Sequence, residues 1–356
     1  MAAASSQLSF MERIGIISAQ LGLIGTLLYS AVTGIFRDDR YAASYKHHIT
    51  HSAVRALLAR LNSAQLKTLN PSFRSCYEKF CKEKNLKSNI VTFKSGLEAF
   101  WMGDPNAKYV FVDFHGGGYA LDADEFHLNF WHSVQKDLDT AGTSVAWLFV
   151  AYSLTPHRTY PTQICEAIEA LKYVHEEKHR PSSEIIIGGD SAGGALTLAI
   201  LSHLSHPSPD FPNVEISGKF KAAVVIAPWV SFRLDWPSFK RNQFKDTITA
   251  IRLQEWASLY QNGKPSNNYI EPVEAPPSWW KEVQVEQMLC TAGGDEILLD
   301  AVSEWVAKYK SVHPDITTYV VGKDECHIAP IMEPMLMDTS ETEQGKAIKA
   351  WLKARL

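Results

Sequence analysis

Cysteine is scarce in this 356-residue chain, and no arrangement of cysteines indicates a metal site. Neither a CxxC pair nor a Cys/His ligand spacing of the zinc-binding type occurs, so we expect no structural metal. Cys76 and Cys81 are the one close pair and allow a disulfide without requiring it. Because the count of five is odd, at least one thiol is expected to be free.

The chain also has no strong charge of either sign. Its formal net charge is −4, which gives no electrostatic basis for binding nucleic acid. No internal repeat or low-complexity tract is visible, and the composition (46% hydrophobic, 21% charged) is typical of a globular protein. This length suits one large α/β domain with a cap, or two smaller domains.

Charge is missing from a long stretch near the amino end. Ile14 to Phe36 is 23 residues without a charged side chain, flanked by Arg13 and Arg37. At about 1.5 Å per residue it could cross a hydrocarbon core of about 30 Å. We expect a single membrane anchor within residues 1–37, in the endoplasmic reticulum. The alternative is an amphipathic or buried cap helix, because several polar residues dilute the run.

The side of the membrane on which the rest of the chain lies remains open. Basic residues are more numerous after the apolar stretch than before it, which favours a cytosolic location for the rest of the chain by the positive-inside rule. The one Asn-x-Ser/Thr sequence, Asn70-Pro71-Ser72, is disqualified as a glycosylation acceptor by its proline.

Strands and helices alternate from residue 90 onward, after a segment that looks helical from residue 38 to about residue 100. We predict strands over 90–94, 109–114, 144–151, 184–188, 220–227, 286–292 and 316–321, and helices such as 162–177 and 301–310. Such alternation, with near-continuous apolar strands, indicates a mostly parallel sheet covered by helices on both faces. We therefore predict an α/β fold, with a helical cap segment at 38–89, a catalytic domain at 90–356 and a cap insertion at 229–280.

The most informative stretch is Gly188-Gly189-Asp190-Ser191-Ala192-Gly193-Gly194, which lies between a β-branched run and an apolar helical run. A serine among small residues at a strand-to-helix turn is the arrangement of a nucleophile elbow. The sharp bend exposes the hydroxyl of Ser191, and the following helix directs its first N–H groups toward developing negative charge. An ordinary tight turn is the alternative interpretation.

A second glycine-rich segment lies upstream. The predicted strand 109–114 leads directly into His115-Gly116-Gly117-Gly118, whose backbone N–H groups could approach a ligand closely. In an acyl-transfer enzyme they would hold the oxyanion of a tetrahedral intermediate. The alternative is a Gly-rich turn or a phosphate loop, but the Gly-Lys-Ser/Thr of a phosphate loop is absent. We expect His115 to support the loop by hydrogen bonding.

The other candidates follow the serine in the order acid, then histidine, as in α/β hydrolases. Asp295 and Glu296 come directly after a predicted strand, and His327 follows the last one. His327 would take the proton of Ser191, and one of the two carboxylates would orient the imidazole. Because their side chains should point in different directions, at most one is expected to reach His327.

Together these motifs resemble the hormone-sensitive-lipase branch of the α/β-hydrolase superfamily, over roughly residues 90–356. A Tyr152-x-Leu154-x-Pro156 box is similar to that of the branch, and Trp229-Val230-Ser231 resembles its fungal esterase and deacetylase members. The resemblance implies Ser191 as nucleophile, His327 as base, and a cap from the N-terminal helices. It also implies an oxyanion hole formed by the N–H groups of Gly117, Gly118 and Ala192, with Gly116 and Asp190 supporting it.

The acid departs from the pattern of that branch, which places Asp first in Asp-x-Leu-x-Asp. Glu296 occupies that place here, whereas Asp295 has the expected residue type, so both stay candidates. Asp300 is a weaker third choice.

The resulting hypothesis is a serine hydrolase that cleaves carboxylic esters, either short-chain esters or O-acetylated lipophilic metabolites of a biosynthetic pathway. This chemistry needs no metal or organic cofactor, and the partner is a small-molecule ester. Lipase, amidase or lactonase action on the same residues is the nearest alternative. A non-catalytic small-molecule-binding protein is the other. The oligomeric state is left open.

Overall fold

Eight strands form one central sheet in the computed structural model, which describes residues 8–356. The strands are β1 (Ile90–Thr92), β2 (Glu98–Met102), β3 (Tyr109–Phe114), β4 (Val145–Ala151), β5 (Ile185–Asp190), β6 (Ala222–Ile226), β7 (Met288–Gly293) and β8 (Thr317–Gly322). Their order is β1-β2-β4-β3-β5-β6-β7-β8. The pairings of β2 with β1 and β4 are antiparallel, and β4 to β8 pair in parallel, which confirms the predicted mostly parallel α/β sheet.

Twelve α-helices connect or cover these strands in the same described part of the chain. They are α1 (Phe10–Thr33), α2 (Tyr45–Arg60), α3 (Ser63–Leu69), α4 (Phe73–Lys84), α5 (Glu125–Thr140), α6 (Thr162–Lys172), α7 (Ala192–Ser205), α8 (Pro237–Asn242), α9 (Ala250–Gln261), α10 (Leu299–Val312), α11 (Ala329–Met335) and α12 (Glu343–Arg355). Parallel strands must be joined by a crossover connection, which is usually a helix, and this explains the regular alternation.

Both faces of the sheet are buried, as the near-continuous apolar strands predict. Along β3, Val110 and Val112 point into one hydrophobic cluster together with Leu196 of α7. Phe111, between them, points into the other cluster together with Trp131 of α5. Successive side chains of a strand alternate between faces, so a strand covered on both sides is apolar at nearly every position.

The sequence-based elements are reproduced with two corrections. All seven predicted strands exist, with ends displaced by no more than two residues. Residues 98–102 form β2, whereas the helical segment had been expected to extend to about residue 100. The helix predicted over 162–177 ends at Lys172 and continues as a wider π turn over Tyr173–Glu177. Cys76 and Cys81 both lie on α4, and all five thiols are free.

Helices from the two segments predicted to form a cap contact each other. The 229–280 segment contains α8 and α9, and α9 contacts α2 from the N-terminal region. α1 packs along α2 and contacts α3. α4 instead packs against the sheet through Phe73, Tyr77 and Phe80, which are buried with the aromatic residues of one sheet face.

The first turn of α7 lies directly against the end of β3. A Cβ atom on Gly193 would overlap with the carbonyl groups of Phe114 and His115. We expect Gly193→Ala to lower the free energy of unfolding by about 1–3 kcal/mol, because the backbone of β3 cannot yield as a side chain would. The melting temperature of the purified protein should fall by several degrees.

Gly25→Ala is the matched control, since Gly25 is also helical and has no protein atom within 4 Å of the added carbon. Alanine at an open helical position should leave the melting temperature unchanged or raise it slightly. Equal melting temperatures for the two variants would contradict the close approach described for Gly193.

Candidate active site

Ser191 occupies the turn between β5 and α7, with an unusual backbone conformation. Its φ of 51° and ψ of −116° are rarely adopted by a residue with a side chain. The turn is stabilised by its N–H group, which donates to the carbonyl of Ile226 on the neighbouring strand at 2.8 Å. Backbone strain held by surrounding structure is typical of functional turns.

His327 lies between Ser191 and Glu296 in the folded protein. Its Nε2 is 2.8 Å from the hydroxyl oxygen of Ser191, and its Nδ1 is 2.9 Å from a carboxylate oxygen of Glu296. All three side chains are buried. An imidazole in this position can take a proton from the hydroxyl while the carboxylate fixes its tautomer.

The other two acidic candidates do not reach the imidazole. Asp295 is paired with Lys245 at 3.1 Å. Asp300 lies at the start of α10 and is paired with Arg241 at 2.8 Å. Adjacent residues of a turn project differently, so Asp295 and Glu296 end in separate environments.

Burial and hydrogen bonding have opposite effects on the pKa values of Glu296 and His327. Complete burial raises the pKa of Glu296 to about 7, although the hydrogen bond from His327 lowers it. Burial also lowers the pKa of His327, but the hydrogen bond to Glu296 and its negative charge outweigh burial and raise that pKa overall.

Asp246 holds the loop that carries His327, and nothing in the sequence pointed to it. Its carboxylate accepts the backbone N–H of His327 at 3.0 Å and that of Ile297 at 2.8 Å. The residue is fully buried although it follows α8 in a polar segment of the 229–280 insertion. Only the tertiary structure brings this segment beneath the two loops.

The glycine-rich segment 115–118 curves past Ser191. Gly117 and Gly118 have φ values of 97° and 61°, which favour glycine, and the ring of Trp256 lies where a Cβ of Gly118 would be. Within residues 8–356, the N–H groups of Gly117, Gly118 and Ala192 donate to no protein acceptor. Three unpaired donors beside a serine hydroxyl can receive an oxyanion.

A buried charged network fixes the start of this segment. Asp190 accepts the N–H of Gly116 at 2.9 Å and lies 3.3 Å from Nδ1 of His127. His127 in turn contacts Asp113 at 2.7 Å. Burial opposes the charge of His127, but the two carboxylates raise its pKa to about 10. The sequence motifs pointed to Asp190, and Asp113 is conspicuous as a charged residue inside the apolar strand β3, but no sequence pattern pointed to His127.

His115 supports the same segment in a neutral form. Burial lowers its pKa to about 4, and its Nδ1 lies 2.7 Å from the carbonyl of Gly116. Its ring stacks on Tyr152, whose hydroxyl donates to the His115 carbonyl at 2.6 Å. Tyr152 belongs to the Tyr-x-Leu-x-Pro box, which thereby contacts the glycine segment directly.

A cavity of about 280 Å³ opens above Ser191 and His327. Its walls are mainly apolar and are formed by the N-terminal helices together with the domain that follows residue 90. The N-terminal helices contribute Val54, Leu57, Leu58 and Leu66, and the remainder includes Leu121, Ile248, Trp256, Ile331, Met332 and Met335. Small-molecule sites are mostly of this kind, with a few polar groups in an apolar enclosure.

This combination of a parallel sheet, a strained serine turn and a histidine after the last strand defines an α/β hydrolase. In agreement, residues 111–330 match the family described as alpha/beta hydrolase fold. The chain belongs to this family, as its motifs predicted.

Known proteins with similar sequences include some that are named acetyl-hydrolase or steryl acetyl hydrolase. An acetyl-hydrolase of Streptomyces hygroscopicus is 25% identical over 52% of this chain and 56% of its own length. Steryl acetyl hydrolase 1 of Saccharomyces cerevisiae is 28% identical over 36% of this chain and 28% of its own length. The chain thus spans about half or less of these two relatives.

A crystal structure of an esterase from the bacterial hormone-sensitive lipase family has the same fold. It superposes with a TM-score of 0.67 and 24% identity, covering 88% of this chain and 99% of the esterase.

Asp246→Asn tests how the histidine loop is held. The amide would direct an N–H toward a backbone donor, leaving buried groups unpaired at a cost of about 1–3 kcal/mol. We expect a lower melting temperature and a clear loss of kcat on p-nitrophenyl acetate. Asp235→Asn is the control, because Asp235 is exposed and pairs only with the exposed Arg233. Identical behaviour of the two variants would contradict the role assigned to Asp246.

Proposed function

We propose that the protein is a serine hydrolase that cleaves carboxylic esters through an acyl-enzyme formed on Ser191. The observation that carries this proposal is the continuous hydrogen-bonded chain from Ser191 through His327 to Glu296, with distances of 2.8 and 2.9 Å. A receptor that only binds its ligand would not need this chain, which argues against a non-catalytic protein.

In the first half-reaction the Ser191 oxygen attacks the ester carbonyl carbon while its proton passes to Nε2 of His327. The imidazolium is stabilised by the carboxylate of Glu296, which is the third member of the triad in place of Asp295. When the tetrahedral intermediate collapses, His327 gives the proton to the leaving alcohol and the acyl group stays on Ser191. A water molecule, deprotonated by His327, then releases the acid and regenerates the hydroxyl.

The negative oxygen of each intermediate is held by the N–H groups of Gly117, Gly118 and Ala192. One donor of this type contributes about 3–4 kcal/mol to lowering the barrier. The donors are effective because their positions are fixed before the substrate binds. Asp190 and His127 fix Gly116, and His115 and Tyr152 lie beneath the same segment.

The dimensions of the cavity favour a small acyl group on a lipophilic alcohol. Its volume of about 280 Å³ lies at the low end for small-molecule sites, and its walls are largely apolar. Two relatives are named acetyl-hydrolase and steryl acetyl hydrolase. We take α2, α3 and α9 as the cap over this cavity, because all three contribute to its walls. α4, the last helix of the segment 38–89, packs on the sheet and is not part of this cap.

Membrane association through α1 is part of the same proposal. Leu21, Ile24, Leu28 and Val32 form a stripe along the helix and are 55–67% exposed. The opposite face carries small residues such as Ala19, which is buried where the helix packs on α2 and α3. Contact with lipid would remove this exposed apolar stripe from water. The contact would also hold the cap near the membrane, from which a lipophilic ester could reach the cavity.

Substitutions in the serine, histidine and acid chain test the mechanism. Ser191→Ala should abolish p-nitrophenyl acetate turnover without changing the melting temperature. Glu296→Gln should lower kcat by roughly 10³- to 10⁴-fold, because the imidazole loses its tautomer and its counter-charge. Asp295→Asn is the matched control and should keep turnover within an order of magnitude of the native protein.

The pH profile separates a catalytic carboxylate from a structural one. Because Glu296 raises the pKa of His327, the acid limb of kcat/KM should move to lower pH in Glu296→Gln. It should stay in place in Asp295→Asn. Persistent turnover in Ser191→Ala, or a larger loss in Asp295→Asn than in Glu296→Gln, would reject the assignment.

Charged substitutions on the exposed stripe test the membrane contact. The double variant Leu21→Glu with Leu28→Glu should sediment with phosphatidylcholine vesicles far less than the native chain, since it places two carboxylates against the acyl region. Gln20→Glu adds a charge at an exposed, already polar position of α1 and serves as the control. Undiminished sedimentation of the double variant would rule out this face as the lipid contact.

A further inference from the structure

A second cluster of histidines and carboxylates connects the N-terminal helices to the catalytic domain. His47 and His51 lie one turn apart on α2, and Glu333 lies on α11. Their donor atoms all fall within 4.8 Å of one another. Asp338 adds a carboxylate oxygen at 2.9 Å from Nε2 of His47. None of these residues takes part in the ester-hydrolysis mechanism.

The hydrogen bonds of a neutral His51 would leave its Nε2 lone pair facing a carboxylate oxygen of Glu333, which is also an acceptor. Its Nδ1 lies 2.7 Å from the carbonyl oxygen of Lys245, which can only accept, so Nδ1 carries the ring proton. Nε2 of a neutral His51 then presents a lone pair, yet it lies 3.1 Å from a carboxylate oxygen of Glu333. Two lone pairs at this distance repel unless a positive charge lies between them.

The side chain of Glu333 lies close to two imidazoles and a thiol, none of which carries a charge while the imidazoles are neutral. The residue is 2% exposed, and its Oε2 has no hydrogen-bond donor although Nε2 of His47 lies 3.3 Å away. The thiol of Cys326 is directed at the other oxygen, at 3.4 Å. The ammonium group of Lys46 lies 3.8 Å from the carboxylate of Asp338. With neutral imidazoles, the two carboxylates supply the two negative charges that a divalent ion requires.

We propose that His47, His51, Glu333 and Asp338 bind a divalent transition metal of the zinc type. In a tetrahedral site with ligand distances of about 2.0–2.2 Å, neighbouring donor atoms lie about 3.3–3.5 Å apart. The three histidine–carboxylate contacts of 2.9, 3.1 and 3.3 Å are near that spacing. The donor atoms of His47, His51 and Glu333 lie within 4.8 Å of one another, so an ion would draw the more distant pairs together. Imidazole and carboxylate donors are the set that zinc accepts in proteins.

The carbonyl of Lys245 accepts a hydrogen bond from the ring nitrogen of His51 that does not face the cluster. A histidine that ligates a metal generally donates its other N–H to a carbonyl or carboxylate, which fixes the ring. His51 makes this contact with Lys245, the residue before Asp246. A cleft of about 260 Å³ lined by His47, Glu333 and Asp338 gives an ion access from solvent.

The metal would tie α2 to α11, which begins two residues after His327. Its role is therefore structural, joining the helices above the cavity to the segment that carries the histidine. The proposal does not depend on ester hydrolysis, because it concerns metal binding and stability.

The full-length protein, stripped with a chelator and dialysed, should bind one Zn²⁺ per chain in calorimetric titration. At a hundredfold excess over Kd the melting temperature should rise by roughly 5 °C. Co²⁺ at the site should give the visible absorption of a tetrahedral complex.

His47→Ala should weaken Zn²⁺ binding at least a hundredfold and fold normally, because the His47 side chain is 19% exposed. His157→Ala, which removes an exposed histidine elsewhere, is the control and should bind as the native chain does.

Absence of stoichiometric Zn²⁺ binding by the native chain would overturn the proposal and leave a protonated His51 as the positive charge. Unchanged affinity in His47→Ala would also overturn it, by placing the ion elsewhere. Glu333→Gln provides a second variant: weakened Zn²⁺ binding supports the site, and native affinity contradicts it.

Discussion

The close approach of two backbones, where β3 and β5 end side by side, is the constraint on which the site depends. A Cβ atom at Gly189 or Gly193 would overlap with the carbonyl of Phe114, so only glycine allows α7 to start there. This approach brings the turn of Ser191 and the glycine segment 115–118 to the same place. The nucleophile and the free N–H groups are thus consequences of one packing contact.

Buried carboxylates hold the loops of the site in place through hydrogen bonds to their backbones. Asp190 accepts an N–H of the glycine segment, and Asp246 accepts the N–H of His327. Each is a charged acceptor for backbone donors in a region that excludes water, where such hydrogen bonds are strong and a missing partner is costly. This kind of support keeps catalytic groups oriented before a substrate arrives.

The helix α2 links several features of the molecule. One part of it lines the cavity with Val54, Leu57 and Leu58, and another part presents His47 and His51 to α11. The same helix carries α1 against its side. A change in the position of α2 would therefore alter the cavity, the histidine–carboxylate cluster and the position of the apolar stripe together.

The sequence by itself determined the sheet, the serine turn, the glycine segment and the histidine after the last strand, because each depends on the local conformations of neighbouring residues. It missed β2, which is a short strand beside a helical segment. Only the tertiary structure decided that Glu296 reaches His327 while Asp295 meets Lys245, since adjacent side chains of one turn differ in direction alone. The positions of Asp246 and His127 also required the fold, because their partners are distant in the chain.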